Sequence, residues 1–299
     1  MDTYKTSASI NTKVMYKNAV EKHIKPELGH LPINKIVRSD VQKLINDNQE
    51  HPRTCEIIKM TLVQIFNSAI DDKLLHENVA KKATPLKRHK AEKRALTDLE
   101  KEARKKADFT QTERALVMLL FYFGLRRGEV LALTKSDINL KKKLLIVNKT
   151  VVFDVNTPII KTGAKSDAGN REIPIPDSAA PFFRQFLKSV DTFYLFPGKN
   201  TETLSKTQYV KMWKRIVKKM NDTVTTEKEK IIGAQPIGGL TAHIFRHNYC
   251  TMLYYSGISQ KKAVELMGHS DLKMIMEVYA HLDEKKEAVH EKINSAIAL

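Results

Sequence analysis

The chain has 299 residues, a length that suggests two domains, and its 42 % apolar content is enough to bury a core, which excludes a wholly disordered chain. Ten prolines and eleven glycines exclude collagen-like and low-complexity classes, and the longest apolar run, Ala115 to Phe123, is half of the ~18 residues that a membrane span needs. Fifty-one Lys and Arg against 34 Asp and Glu leave a formal charge of +17, an excess that favours polyanionic partners, although solubility alone is also served by such a charge. The opening stretch MDTYKTSASI lacks the apolar segment of a secretory signal. Cys55 and Cys250 form neither a disulfide framework nor a CxxC zinc pair, so a reducing, cytoplasmic compartment is expected.

In chain order, Ser9 to Lys25 is predicted to be a helix capped by Ser9 or Asn11, with Val14, Ala19, Val20 and Ile24 near one face. A turn through Pro26, Gly29 and Pro32 leads to a short helix starting at Ser39 and Asp40. A longer helix follows, from about Arg53 to Ile70, whose Ile58, Leu62, Ile65, Phe66 and Ala69 recur as one buried stripe. These helices make a first domain, residues 1–83. The stretch TPLKRHKAEKRA then holds five Lys or Arg and one acid with no apolar period, and residues 84–96 are predicted to be an exposed basic linker.

The second domain, 97–299, opens on a capping box, Thr97 with Glu100, and continues with an apolar helix from Thr112 to Leu125. The β-branched run LLIVNKTVVFD (144–154) reads as one strand, and TPIIKT and REIPIP as two more, joined by the loop GAKSDAGN. Helices are predicted at Asp177–Val190 and Lys206–Met220, the latter packing through Val210, Trp213, Val217 and Met220. Residues 223–239 read as an exposed insertion. Three further helical stretches reach about residue 282, and a last amphipathic piece carries Ala288, Ile293, Ala296 and Ile297 near helical spacing. The expected fold is mainly α with a small antiparallel sheet, an α+β arrangement.

Chemistry concentrates in the second domain. His243 and Arg246 stand three apart on one predicted helix and so share a face. Such a pair is common on helix surfaces, but other residues accompany it. Arg126 follows a Gly-Leu turn with Glu129 three residues on, His269 follows a helix-ending glycine, and Tyr279 lies ten residues beyond. A zinc site built from His243, His247 and Cys250 would lack a nearby fourth ligand and the acid of an HExxH motif. Tyr254 and Tyr255 read as core residues.

In this order the segments GLRRGE, IIKTGAKSDAGNREIPIP, AHIFRH, LMGHSD and VYAHL resemble the tyrosine recombinase (phage integrase) family, in particular the integrases of conjugative transposons, and VEKHIKPELGHLPINKI resembles the family's helical core-binding domain. The resemblance implies Arg126, Lys161, His243, Arg246, His269 and Tyr279 as catalytic residues. Two guanidiniums would hold the non-bridging oxygens of a phosphodiester with planar paired donors. Tyr279 would attack phosphorus to form a 3′-phosphotyrosyl link, with His243 assisting proton removal from a phenol of ordinary pKa ~10. Lys161 would protonate the departing 5′ oxygen; it is preferred to Lys165 because KTG ends a strand-like run while Lys165 sits in the looser turn. His269 would hydrogen-bond the phosphate, and Glu129 would be a buried partner that orients the arginines and histidine. His247 and His281 match no catalytic position and read as helix-surface groups.

No cofactor and no metal is called for, since the arginines take the electrostatic role that Mg²⁺ plays elsewhere. Backbone contacts to double-stranded DNA are expected from Lys87, Arg88, Lys90, Lys93 and Arg94 in the linker, with Arg127 facing DNA or a carboxylate. The family further implies core recombination sites, a homo-tetramer on synapsed DNA, a C-terminal tail packing in trans, accessory DNA-bending or directionality proteins, and residence in the bacterial cytoplasm and nucleoid. The arm-site-binding domain that many such integrases carry ahead of the core-binding one is not expected in this sequence, which suits a short member or a truncated version. The other readings are type IB topoisomerase-like strand relaxation and a non-catalytic DNA-binding protein on the same fold.

Overall fold

The computed structural model describes residues 9–85, 94–163, 170–228, 236–268, 275–280 and 282–283. The chain divides into two compact units, Met1–Glu92 and Lys93–Leu299. No helix among the described residues is long and apolar enough to cross a membrane.

The first unit is helical. Ser9 caps α1 (Ile10–Ala19), its hydroxyl accepting from the Thr12 N–H at 3.3 Å. The chain then passes through a π-helical turn (Val20–Ile24) into α2 (Lys25–Leu28). The predicted stop at Lys25 is therefore three residues short. Pro26 offers no N–H and crowds the preceding turn, and the widened turn before it lets the helix run on. The next helix, α3 (Arg38–Asp47), starts earlier than Ser39 because Asp40 reaches back to the Val37 N–H at 3.0 Å. In α4 (Pro52–Asp71) Ile58, Leu62, Phe66 and Ala69 are buried as the spacing predicts, while Ile65 is half-buried. Ile58, Leu62 and Phe66 close a core with Ile24, Leu28, Val41, Leu44 and Ile45.

The second unit is mostly helical with two small antiparallel sheets. Helices α5 (Asp98–Lys106), α6 (Gln111–Phe123) and α7 (Arg127–Leu131) precede strands β1 (Ile138–Asn139), β2 (Leu144–Val147), β3 (Lys149–Asp154), β4 (Thr157–Thr162) and β5 (Arg171–Pro174). Helices α8 (Ala180–Ser189), α9 (Lys206–Lys228), α10 (Ala242–Tyr255) and α11 (Gln260–Met267) follow, and residues 275–280 are helical. The capping box of α5 forms as predicted, with Thr97 and Glu100 bonded reciprocally. Helix α6 lies at the centre of the core, where Leu116, Leu119, Leu120 and Phe123 meet Phe183 and Phe186 of α8 and Phe245 and Tyr249 of α10. That burial stabilises the unit through the apolar area it removes from water.

Three predicted elements differ. The run 144–154 is two strands: among the described residues β2 pairs with β1 and β5, whereas β3 pairs with β4. Leu145, Val147, Val151 and Phe153 are buried and share one parity, with the half-buried Lys149 between them bonded to Asp137, so a period-2 pattern spans the change of partner and masks it. Helix α9 runs eight residues past Met220, and Val224 is buried, so the stretch after Met220 is not simply an exposed insertion. Asn221 also ties Ile237 down, donating to its carbonyl at 3.0 Å and accepting from its N–H at 2.8 Å. The packing face of α9 is Tyr209, Met212, Ile216, Met220 and Val224; Trp213 and Val217 flank it and Val210 is exposed.

Candidate active site

The site begins where α6 ends. Gly124 adopts a left-handed backbone (φ 57°), and a Cβ there would lie 2.4 Å from the Tyr249 ring, so both the turn and the packing demand glycine. The turn delivers Arg126 to the N-terminus of α7. Its backbone N–H and its Nη1 both donate to the Glu129 carboxylate, at 2.8 and 2.7 Å. Arg246, on α10, is 2 % exposed; its Nη1 donates to the Gly124 carbonyl at 2.6 Å and its Nη2 to that of Met267. Arg126 Nη2 donates to the next carbonyl, Gly268, at 3.0 Å.

A third guanidinium completes the cluster. Arg171, at the start of β5, donates from Nη1 and Nη2 to Glu129 at 3.2 and 2.8 Å and from Nε to the Leu266 carbonyl at 2.9 Å. The sequence reading passed over it. A signal was present: Arg171, Ile173 and Ile175 share the buried register of one strand, and an inward-facing arginine requires an inward-facing carboxylate.

Three guanidiniums thus surround one carboxylate, leaving an excess of buried positive charge. Burial by itself would raise the Glu129 pKa, but the hydrogen bonds from Arg171 and the charges of Arg171, Arg246 and Arg126 outweigh it and hold the group at about 2. Burial, reinforced by the like charge of Arg126, brings Arg246 down to about 9, so it stays protonated at neutral pH. An anion placed beside Arg126, whose side chain is 40 % exposed, would relieve that excess.

Tyr279, in the helical residues 275–280, is buried, and its hydroxyl donates to the Ile258 carbonyl at 3.1 Å. Its ring stands edge-on to Tyr254 at 5.0 Å, and the Tyr254 hydroxyl is hydrogen-bonded to Asp283. Burial, with Cys250 and Tyr254 nearby, pushes the Tyr279 phenol up to about 12. Cys250 also feels the charge of Arg246 and is a neighbour common to both groups.

The other predicted residues are placed as follows. Lys161 is exposed on β4, paired with Thr150 of β3, and Gly128 of α7 packs so closely on this hairpin that a Cβ would lie 2.4 Å from the Val151 carbonyl. His243 is exposed in the first turn of α10, its ring 5.8 Å from that of His247. His247 itself is buried, not on the surface, because α10 is enclosed on all sides from Phe245 to Cys250. Tyr255, expected in the core, is exposed. Arg94 is committed to Glu100 through two bonds of 2.6 and 2.7 Å and so anchors the start of α5 rather than standing free in a linker. Arg127 lies over the rings of Phe153 and Tyr209, at 5.2 and 5.4 Å. His269, Lys165, His281, Lys87, Arg88, Lys90, Lys93 and the C-terminal tail fall outside the described residues. Among the described residues, His243, His247 and Cys250 do not converge as a metal-ligand set.

With this geometry in hand, the sequence matches the model of the phage integrase family over residues 83–286 and that of a phage integrase N-terminal SAM-like domain over residues 1–48. It is 26 % identical to a tyrosine recombinase XerC-like protein of Caldanaerobacter subterraneus over 92 % of this chain and 75 % of that one. It is 25 % identical to the transposase of transposon Tn916 from Enterococcus faecalis, over 91 % of this chain and 69 % of that one. The fold is similar to that of the Tn1549 transposon integrase in complex with circular-intermediate DNA (TM-score 0.78, 23 % identity, 97 % and 96 % of the two chains). It is also similar to a lambda integrase dimer bound to a core site (TM-score 0.67, 20 % identity, 90 % and 88 %).

Proposed function

We infer the roles of individual side chains from a premise: the chain belongs to the phage integrase family and is a tyrosine site-specific recombinase that integrates and excises mobile DNA. The observation that carries the assignment is the arginine cluster, in which Arg126 is bonded to Glu129, Arg246 acts on it through charge, and positive charge is left to spare. They bind the non-bridging oxygens of the scissile phosphate, where negative charge accumulates during displacement. The Tyr279 hydroxyl leaves the Ile258 carbonyl, gives its proton to His243 and attacks phosphorus. The P–O bond to the 5′ oxygen breaks as the 3′-phosphotyrosyl bond forms, and Lys161 supplies the proton that the 5′ oxygen takes up. His269 donates a hydrogen bond to the same phosphate. The reverse steps, with a 5′ hydroxyl from a partner strand, rejoin the DNA.

Residues 1–83 act as the core-binding domain, 84–96 as a basic link whose Lys87, Arg88, Lys90 and Lys93 contact the DNA backbone while Arg94 is held by Glu100, and 97–299 as the catalytic domain with its tail. The partner is a DNA duplex with core recombination sites, on which four protomers assemble, the tail packs in trans and accessory DNA-bending or directionality proteins act. The solved Tn1549 and lambda integrase complexes with DNA support the coarser part of this reading. Two buried, free thiols suit a reducing bacterial cytoplasm.

Covalent trapping tests the assignment. The protein is incubated in EDTA with a nicked duplex carrying the candidate core site, alongside Tyr279→Phe. The expected result is a denaturation-resistant protein–DNA adduct that the variant does not form. Tight binding of the duplex with no adduct, or an adduct that persists in Tyr279→Phe, would overturn it.

A further inference from the structure

The last three carbonyls of the α11 terminus, Leu266, Met267 and Gly268, are each taken by a different arginine: Arg171, Arg246 and Arg126 in that order. A helix ends with carbonyls that have no partner within it and with the negative pole of its dipole, so three guanidiniums make an effective cap. Two of these arginines are the ones assigned above to the phosphate. On engaging DNA they must divide their donors between phosphate oxygens and these carbonyls. Arg171 has no such conflict: its Nε, Nη1 and Nη2 are all committed to the Leu266 carbonyl and the Glu129 carboxylate.

We propose that Arg171 is a positioning residue of the recombinase, which holds Glu129 and the end of α11 in register while Arg126 and Arg246 turn to the phosphate. It does two things at once. Its Nη atoms donate to both oxygens of Glu129, so the carboxylate orients Arg126 while Arg171 balances its charge. Its Nε keeps the Leu266 carbonyl fixed when the neighbouring carbonyls lose their donors. Gly268, at the end of that turn, is followed directly in sequence by His269, so the same anchor sets where the chain leaves for the next phosphate ligand. A guanidinium serves both partners with donors in a fixed plane, two Nη atoms on Glu129 and Nε on the carbonyl, a geometry that the point charge of a lysine does not reproduce.

The inference rests on the roles given to Arg126, Arg246 and Tyr279, and its test is arranged to separate the two. Arg171→Gln, Arg171→Lys, Glu129→Gln and the double variant Glu129→Gln/Arg171→Gln are made in the full chain. For each, duplex affinity and the single-turnover rate of adduct formation at saturating nicked duplex are measured, with rates normalised to the adduct endpoint. Arg171→Gln should slow the rate by about 10- to 100-fold, as losing the group that orients a ligand does, while affinity shifts less than about 2-fold. Arg171→Lys should recover part of the rate. The double variant should be no slower than the slower single variant, because both losses break one coupled unit.

A wild-type rate in Arg171→Lys and Arg171→Gln, or losses in the two single variants that multiply in the double one, would overturn the proposal. So would a fall in affinity that accounts for the whole loss. If Arg171→Gln does not fold, Arg171→Lys decides: slowed cleavage at unchanged affinity supports the role, and wild-type cleavage ends it. An adduct in Tyr279→Phe would instead strike at the catalytic assignment and leave the Arg171 geometry standing.

Discussion

Glu129 shows how a single residue links stability to chemistry. It is buried, it receives hydrogen bonds from Arg126 and Arg171, and its folded-state pKa is about 2 against an ordinary value of 4.5. A carboxylate whose pKa is depressed on folding stabilises the native state fully above its unfolded pKa, and that stabilisation is lost as pH falls toward the folded value. The window is therefore pH 4.5 down to about 2, and the contribution is on the order of 3 kcal/mol. Urea unfolding of wild type and Glu129→Gln across that range should give a stability gap that is widest above pH 4.5 and closes as the medium becomes more acid. A gap that stays constant with pH would show that Glu129 acts by packing alone. The carboxylate was legible in the sequence through its three-residue spacing from Arg126. Arg171 was not, because an isolated arginine at a strand start announces its burial only through the register of Ile173 and Ile175.

At the scale of elements, the placement of Lys161 depends on how the β3–β4 hairpin docks on α7. Gly128 is the contact point: a Cβ there would lie 2.4 Å from the Val151 carbonyl and 2.6 Å from the Thr150 hydroxyl, and Thr150 is paired with Lys161. Backbone on the far side of the contact cannot yield as a flexible side chain would. Gly128→Ala should therefore displace the hairpin, at a cost of about 1–3 kcal/mol in unfolding free energy. If Lys161 protonates the leaving 5′ oxygen, its adduct rate should fall while duplex binding holds. Restoring activity with a substrate whose leaving group needs no proton, such as a 5′-bridging phosphorothiolate, would trace the defect to Lys161; no restoration would trace it elsewhere. The two-strand hairpin was only partly legible. The alternation Leu145, Val147, Val151, Phe153 gave the strands and their buried face, and the change of partner at Asn148 was marked only by the polar pair Asn148 and Lys149 inside the apolar run. Likewise the burial of His247 follows from how many neighbours enclose α10, a tertiary property that a helical period does not encode.

For the whole molecule, the formal charge of +17 was the first clue to a polyanionic partner, and it separates two things that recombination needs. Binding draws on cations spread over the chain, whereas strand cleavage depends on the arginine cluster around Glu129, in which Arg171 and Arg246 are buried. Affinity for duplex should therefore fall linearly on logarithmic axes as salt rises, and for a protein contacting 6–10 phosphates the loss between 50 and 200 mM is about 10³- to 10⁵-fold. Once duplex is saturating, the rate of adduct formation should respond far less, because a buried cluster is screened much less than surface charge. The measurement is a pair of salt series, one of equilibrium binding with Tyr279→Phe and one of single-turnover cleavage with wild type at saturating duplex. Tyr279→Phe should keep the wild-type salt slope, since a phenol hydroxyl bonded to the Ile258 carbonyl carries no charge to release counterions. A cleavage rate at saturation that fell in parallel with affinity would mean that the arginine cluster is open to solvent on the DNA, contrary to the enclosure of Arg171 and Arg246.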